Sequence, residues 1–140
     1  MNNGSTLKAI YERHKRAICA VVLVLFFIFW IYIAWAVPYT HDDWDWGLDV
    51  GLEQWLTCSV NNRVVGNFFV VIMTRSVFIK TAVMGCGMFL LSLLIALTID
   101  REAPFLARFL CANTLIFLLP LALWRQTCGW VSGFANYVIS

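Results

Sequence analysis

The stretch Ala17-Ile18-Cys19-Ala20-Val21-Val22-Leu23-Val24-Leu25-Phe26-Phe27-Ile28-Phe29-Trp30-Ile31-Tyr32-Ile33-Ala34-Trp35-Ala36-Val37 carries no charge. It matches the ~20 apolar residues that a helix needs to cross hydrocarbon. Lys8, Arg13, Lys15 and Arg16 precede it, and Trp30, Tyr32 and Trp35 gather at its far end, like an interfacial aromatic belt. A cleavable signal peptide competes for the same residues, because Ala34-Trp35-Ala36 has the A-x-A form. The long apolar core, and a proline at what would be the second mature position, speak for a retained helix.

Outward from this run, the composition agrees. The 140 residues are 61% hydrophobic and 13% charged, against about a quarter charged in soluble domains. Mean hydropathy is +0.79. The expected fold class is all-α integral membrane, with three transmembrane helices and interfacial amphipathic helices in the first outer loop. Thr81 to Ile99 and Phe105 to Trp124 are the second and third spans, joined by the cytoplasmic turn 100–104. Gly85-Cys86-Gly87 offers small residues for close helix approach. Pro120 is expected to kink the third span. Residues 1–16 form a cytoplasmic segment, 17–37 the first span, 38–80 the outer loop, and 125–140 an outer C-terminal segment of loop-like composition.

Within the outer loop, Leu48, Leu52, Trp55 and Leu56 lie at helical spacing, with Asp49 and Glu53 on a polar face. That pattern predicts an interfacial helix. Phe68 to Met73 is too short to span, which predicts a second interfacial or re-entrant helix. Charge placement sets the topology. Lys8, Arg13, Lys15, Arg16, Arg101 and Arg108 fall inside, against Arg63, Arg75, Lys80 and Arg125 outside. A partner nucleic acid is not expected, for want of a basic tract interleaved with aromatics.

The five cysteines, Cys19, Cys58, Cys86, Cys111 and Cys128, show no metal-ligand spacing. Cys58 and Cys128 both fall outside, so a disulfide between them is allowed in an oxidising space.

The chemistry-bearing residues follow the first span: Pro38-Tyr39-Thr40-His41-Asp42-Asp43-Trp44-Asp45-Trp46-Gly47. Asp42 and Asp43 point apart in an extended segment, or both lie near the dipole at a helix N-terminus. A carboxylate there can take a proton from a hydroxyl, and cations on the same side, Arg63 and Arg75, can hold a phosphate. A plain solvated loop is the competing reading. His41 is either a surface residue or a proton or metal partner of the acids. Trp44, Trp46 and Trp55 either anchor the interface or stack on sugar rings.

The ordered segments His41-Asp42-Asp43-Trp44-Asp45-Trp46-Gly47, Asn61-Asn62-Arg63-Val64-Val65-Gly66-Asn67, Thr74-Arg75-Ser76 and Ser132-Gly133-Phe134-Ala135-Asn136-Tyr137 resemble a bacterial family of glucosyltransferase-like membrane proteins. That family lies in the GT-C superfamily of polytopic glycosyltransferases, and the resemblance covers nearly the whole chain. It implies the N-terminal part of the GT-C fold, in a bacterial plasma membrane, in keeping with the cytoplasmic N-terminus that the charges predict. It implies a polyprenyl-phosphate sugar as donor and a product at the cell surface. Asp42 or Asp43 would activate the acceptor, with His41, Arg63, Arg75, Asn136 and Tyr137 bordering the substrates; a divalent metal stays open. Family members have many more spans. This chain is therefore expected to be a fragment, a split product or a relic, with little activity unless a partner chain supplies the missing helices. A small non-enzymatic assembly partner or subunit is the alternative.

Overall fold

In the computed structural model, residues 3–99 and 102–140 are described, with side chains from Arg13 onward. Every regular element among them is helical: α1 (Asn3–Ala36), α2 (Asp43–Gly47), α3 (Asp49–Thr57), α4 (Val64–Arg75), α5 (Val77–Thr98), α6 (Phe105–Phe117), α7 (Leu121–Thr127) and α8 (Val131–Phe134). A π-helical turn, Ala135–Ile139, follows α8 directly. Arg13–Ala36 and Val77–Thr98 are each long and apolar enough to cross a membrane. The chain is thus an all-helical protein with two to three such helices.

One helix boundary departs from the sequence reading, and the kink expected at Pro120 is present and sharp. The second long helix begins at Val77 rather than Thr81, so Lys80 sits inside its first turn. Ser76 caps it by accepting from the Ile79 N–H. The run 105–124 is not one rod. It breaks at Leu118–Pro120, and α6 and α7 diverge by 96°. Proline lacks the N–H that would continue α6, and its ring disfavours a helical conformation in the residue before it.

α1 and α5 run antiparallel in close contact. A Cβ on Gly85 would lie 2.5 Å from the Ile31 side chain, so only glycine allows this approach. Trp30, Met84, Met88, Ile116 and Phe134 are buried in one apolar cluster. Within it Trp30 Nε1 donates to Asn113 Oδ1 at 3.0 Å. Ser92 Oγ donates to the same oxygen at 3.1 Å. Three helices therefore share one buried acceptor. At the far end of α5, Arg108 donates to the carbonyl of Ala96 at 3.0 Å. It thereby caps the terminus of that helix.

The end of α1, the start of α5 and the break after α6 lie together. There α2, α3, α4, α7 and α8 form a cap. The segment 125–140 is helical and tucked in, not a loop: Val131 to Ala135 are all buried. The break at Pro120 turns the chain back under α4, where an apolar face awaits Phe134. The cysteines are all free. Cys58 is exposed and Cys128 buried, so the structure contains no Cys58–Cys128 disulfide.

Candidate functional site

Asp42 caps the five-residue helix α2 and Asp43 begins it. One residue of helical advance separates their side chains by about 100°, so they face different surroundings. Asp43 turns inward and is 1% exposed. One carboxylate oxygen accepts from Thr40 N–H at 3.0 Å. The other accepts from Ser132 N–H at 3.0 Å and from Ser132 Oγ–H at 2.5 Å. A buried carboxylate needs such donors. These tie the exit of α1 to a residue 89 positions later.

Lys80 supplies the nearby positive charge and is 2% exposed. Its Nζ donates to the carbonyls of Trp35 and Val37, at the C-terminus of α1. It also lies 4.9 Å from the centroid of the Tyr39 ring. The Tyr39 hydroxyl donates to Met73 O at 2.9 Å. Burial pushes the Tyr39 phenol up, and the Asp43 charge adds to this. Tyr39, Asp43, Lys80 and Ser132 thus lock α1, α4, α5 and the C-terminal segment together.

Asp42 turns the other way, into a cavity of about 620 Å³ that it shares with His41, Arg125, Gln126 and Trp130. Its Oδ1 is buried and has no hydrogen-bond partner. Desolvation raises its pKa, with the charges of Asp43 and Asp45 adding and its own backbone N–H and His41 opposing. The result is a carboxylate with one buried, unpartnered oxygen and a raised proton affinity. His41, beside it, holds φ of 51°. This left-handed conformation is costly for a non-glycine residue and makes the turn that aims Asp42.

The other expected site residues divide. Arg75 is taken up by the fold: it donates to the carbonyls of Trp46 and Val71, each at 3.1 Å, and to that of Leu48. It stitches α4 to the end of α2. Arg63 lies over the Tyr137 ring, 5.2 Å from its centroid. Tyr137 lines a second cavity of about 520 Å³ with Gln126, Thr127 and Trp130. Asn136 donates to Ser132 O at 3.0 Å, while its buried Oδ1 has no partner. A Cβ on Gly66 would meet that oxygen at 2.3 Å, so glycine is what lets α4 come this close.

Of the indoles, Trp46 is buried against Val70, Val71 and Ala135. Trp55 donates to Val64 O at 3.0 Å. Trp44 is exposed, its ring edge-on to Tyr39 at 5.7 Å. None of the three faces either cavity, so the interface reading suits Trp44 and a packing role suits Trp46.

Three residues of the site were not singled out from the sequence: Arg125, Gln126 and Trp130. Arg125 entered only as a charge in the topology count, and Trp130 follows Gly129 in what read as a loop. An indole and a guanidinium five residues apart, at the same membrane face as the acids, were the available signal. Among the described residues no three His, Cys, Asp or Glu gather as a metal site.

These features define a helical protein with apolar helices suited to a bilayer and a polar cap that carries cavities at the end of α1. Compared with family models, characterised proteins and solved structures, the chain matches none.

Proposed function

We propose that the chain is the N-terminal part of a bacterial plasma-membrane glycosyltransferase, with its N-terminus cytoplasmic. It moves a sugar from a polyprenyl-phosphate donor to a cell-surface acceptor, with further helices completing the lipid-carrier groove. The observation that carries this reading is the Asp42 carboxylate, which has a raised proton affinity and lines the same cavity as the Arg125 guanidinium.

Asp42 accepts the proton of an acceptor hydroxyl as that oxygen bonds to the anomeric carbon of the donor. The bond from that carbon to the phosphate oxygen breaks, and polyprenyl phosphate leaves. Arg125 lies in the same cavity, so it is the cation suited to the departing phosphate, in place of Arg75. Asp43 has no open position for substrate; it holds the backbone that aims Asp42.

A non-enzymatic subunit is the second reading. What favours it is that Arg75, Asp43 and Lys80 all spend their polar groups on the fold. The test is complementation in host cells deleted for the chain, followed by transfer of radiolabelled glucose from undecaprenyl-phosphate glucose to surface glycan. Asp42→Asn is expected to lose transfer while accumulating at the wild-type level. Full transfer by Asp42→Asn would sink the catalytic reading and favour the subunit.

A further inference from the structure

At the end of the bundle away from Asp42, the seam between α1 and α6 opens into a cleft of about 220 Å³, lined by Lys15, Arg16, Cys19, Phe105 and Leu106. Its residues sort by depth in the bilayer. Arg16 is the last charge before the uncharged run that starts at Ala17, and Cys19 lies about one helical turn further in. The other wall is the start of α6, Phe105 and Leu106. The cleft therefore has two cations at its mouth and an apolar inner wall, and none of its five lining residues is acidic. Lys15 and Arg16 are both exposed.

The cations alone would suit any anion, and the inner wall narrows the choice. A small soluble phosphate gains nothing from Cys19, Phe105 and Leu106. An amphiphile buries carbon against them while its phosphate meets the cations. An apolar path leads on from the cleft. Lys15, Cys19, Val22, Phe26 and Phe29 recur at alternating helical spacings, so they form one stripe along α1. Along that stripe Phe26 meets Phe109 of α6 edge-on at 5.4 Å. Beyond the stripe's midpoint Leu25, Phe26, Phe29 and Phe117 line a second cleft of about 360 Å³. Headgroup charge narrows the choice again. A choline headgroup brings its own cation to Lys15 and Arg16, which offsets the attraction of its phosphate, whereas a glycerol headgroup brings none.

We propose that this cleft binds an anionic phospholipid of the bilayer, its phosphodiester on Arg16 and Lys15 and one acyl chain along the α1 stripe towards Phe26. The site is independent of the glycosyl-transfer reading. It lies at the opposite end of α1 from the Asp42 cavity, and it asks only that the apolar helices stand in lipid. Arg16 and Lys15 set the preference for a negatively charged headgroup, and Cys19, Phe105 and Leu106 set the preference for a lipid over a free anion.

The experiment is native mass spectrometry of the full chain released from detergent micelles. The probes are dioleoyl phosphatidylglycerol, dioleoyl phosphatidylcholine and glycerol 1-phosphate, which carries a phosphate without chains. Phosphatidylglycerol is expected to be retained roughly tenfold more tightly than phosphatidylcholine, the effect of basic side chains at a lipid surface. Glycerol 1-phosphate is expected not to be retained. Arg16→Gln is expected to lose most of the preference, Arg16→Lys to keep most of it, and Lys15→Gln with Arg16→Gln to abolish it. Both residues are exposed, so helical content by circular dichroism is expected to stay at the wild-type level. Arg63→Gln removes an exposed cation outside the cleft and is expected to change nothing in this assay. Equal retention of the two lipids by the wild type would overturn the proposal, as would a preference that survives the double variant. A preference that falls as far in Arg63→Gln as in Arg16→Gln would mean that only net charge counts, and would overturn it too. Retention of glycerol 1-phosphate as tightly as the lipid would replace the lipid site with one for a soluble anion.

Discussion

Two neighbouring aspartates do opposite work here. Asp43 gives its oxygens to Thr40 and Ser132 and is buried beside the locked Tyr39 and Lys80. Replacing it by Asn removes the charge that three donors face and turns one acceptor into a donor beside them, a change that costs about 1–3 kcal/mol when a buried polar group loses its partner. Asp43→Asn is therefore expected to lower the thermal midpoint in detergent clearly, and Ser132→Ala by less. Asp42 behaves differently. Its pKa is raised in the folded chain from the ordinary 3.8. The folded state then binds the proton more tightly than the unfolded one. Its contribution to stability is largest at low pH and is lost as pH rises through the folded pKa. Asp42→Asn is expected to flatten this part of the stability–pH curve and to be no less stable than wild type at neutral pH. The same shift governs catalysis. A base must be ionised, so transfer falls as pH drops through the raised value, with its acid limb above 3.8. A limb at or below the ordinary value would mean that another group is titrating.

Among the elements, the contact of α1, α5 and α6 turns on Asn113. Its side-chain oxygen takes the indole N–H of Trp30 and the hydroxyl of Ser92, and its amide donates to Phe109 O at 2.9 Å. In hydrocarbon there is no water to replace such a partner. Asn113→Leu is expected to destabilise the bundle by about 1 kcal/mol, the typical worth of a polar contact between membrane helices. Unfolding in a sodium dodecyl sulfate titration measures it; no change would mean that Trp30 finds another acceptor. Pro120 belongs to this scale as well. The 96° turn between α6 and α7 sends the chain sideways, and this brings Trp130 to the cavity that Asp42 lines.

For the whole molecule, the cap and its cavities sit at the end of the bundle opposite the basic start of α1. If that end faces outward, the exposed thiol of Cys58 is open to a membrane-impermeant maleimide added to intact cells. Cys128 is expected to stay unlabelled, since burial both shields its thiol and raises its pKa. Labelling of Cys58 only after permeabilisation would reverse the orientation and place the Asp42 cavity in the cytoplasm.

Much of this was legible in the residues themselves. An uncharged run of this length has no stable state in water and no satisfied state in lipid except a helix, so α1 and α5 follow from composition. Gly85 announced a close crossing, and Pro120 a break. The acids after Val37 marked the polar end. Which aspartate faces the cavity was not legible, because it depends on Ser132 arriving from 89 residues away to claim Asp43. Nor was the exclusion of Arg75, which follows from two carbonyls, those of Trp46 and Leu48, left open where α2 ends. Local pattern records how a segment meets lipid and water, since those forces act on each residue through its own side chain. The partner of a polar group is set by where distant segments meet, and only the tertiary structure decides that.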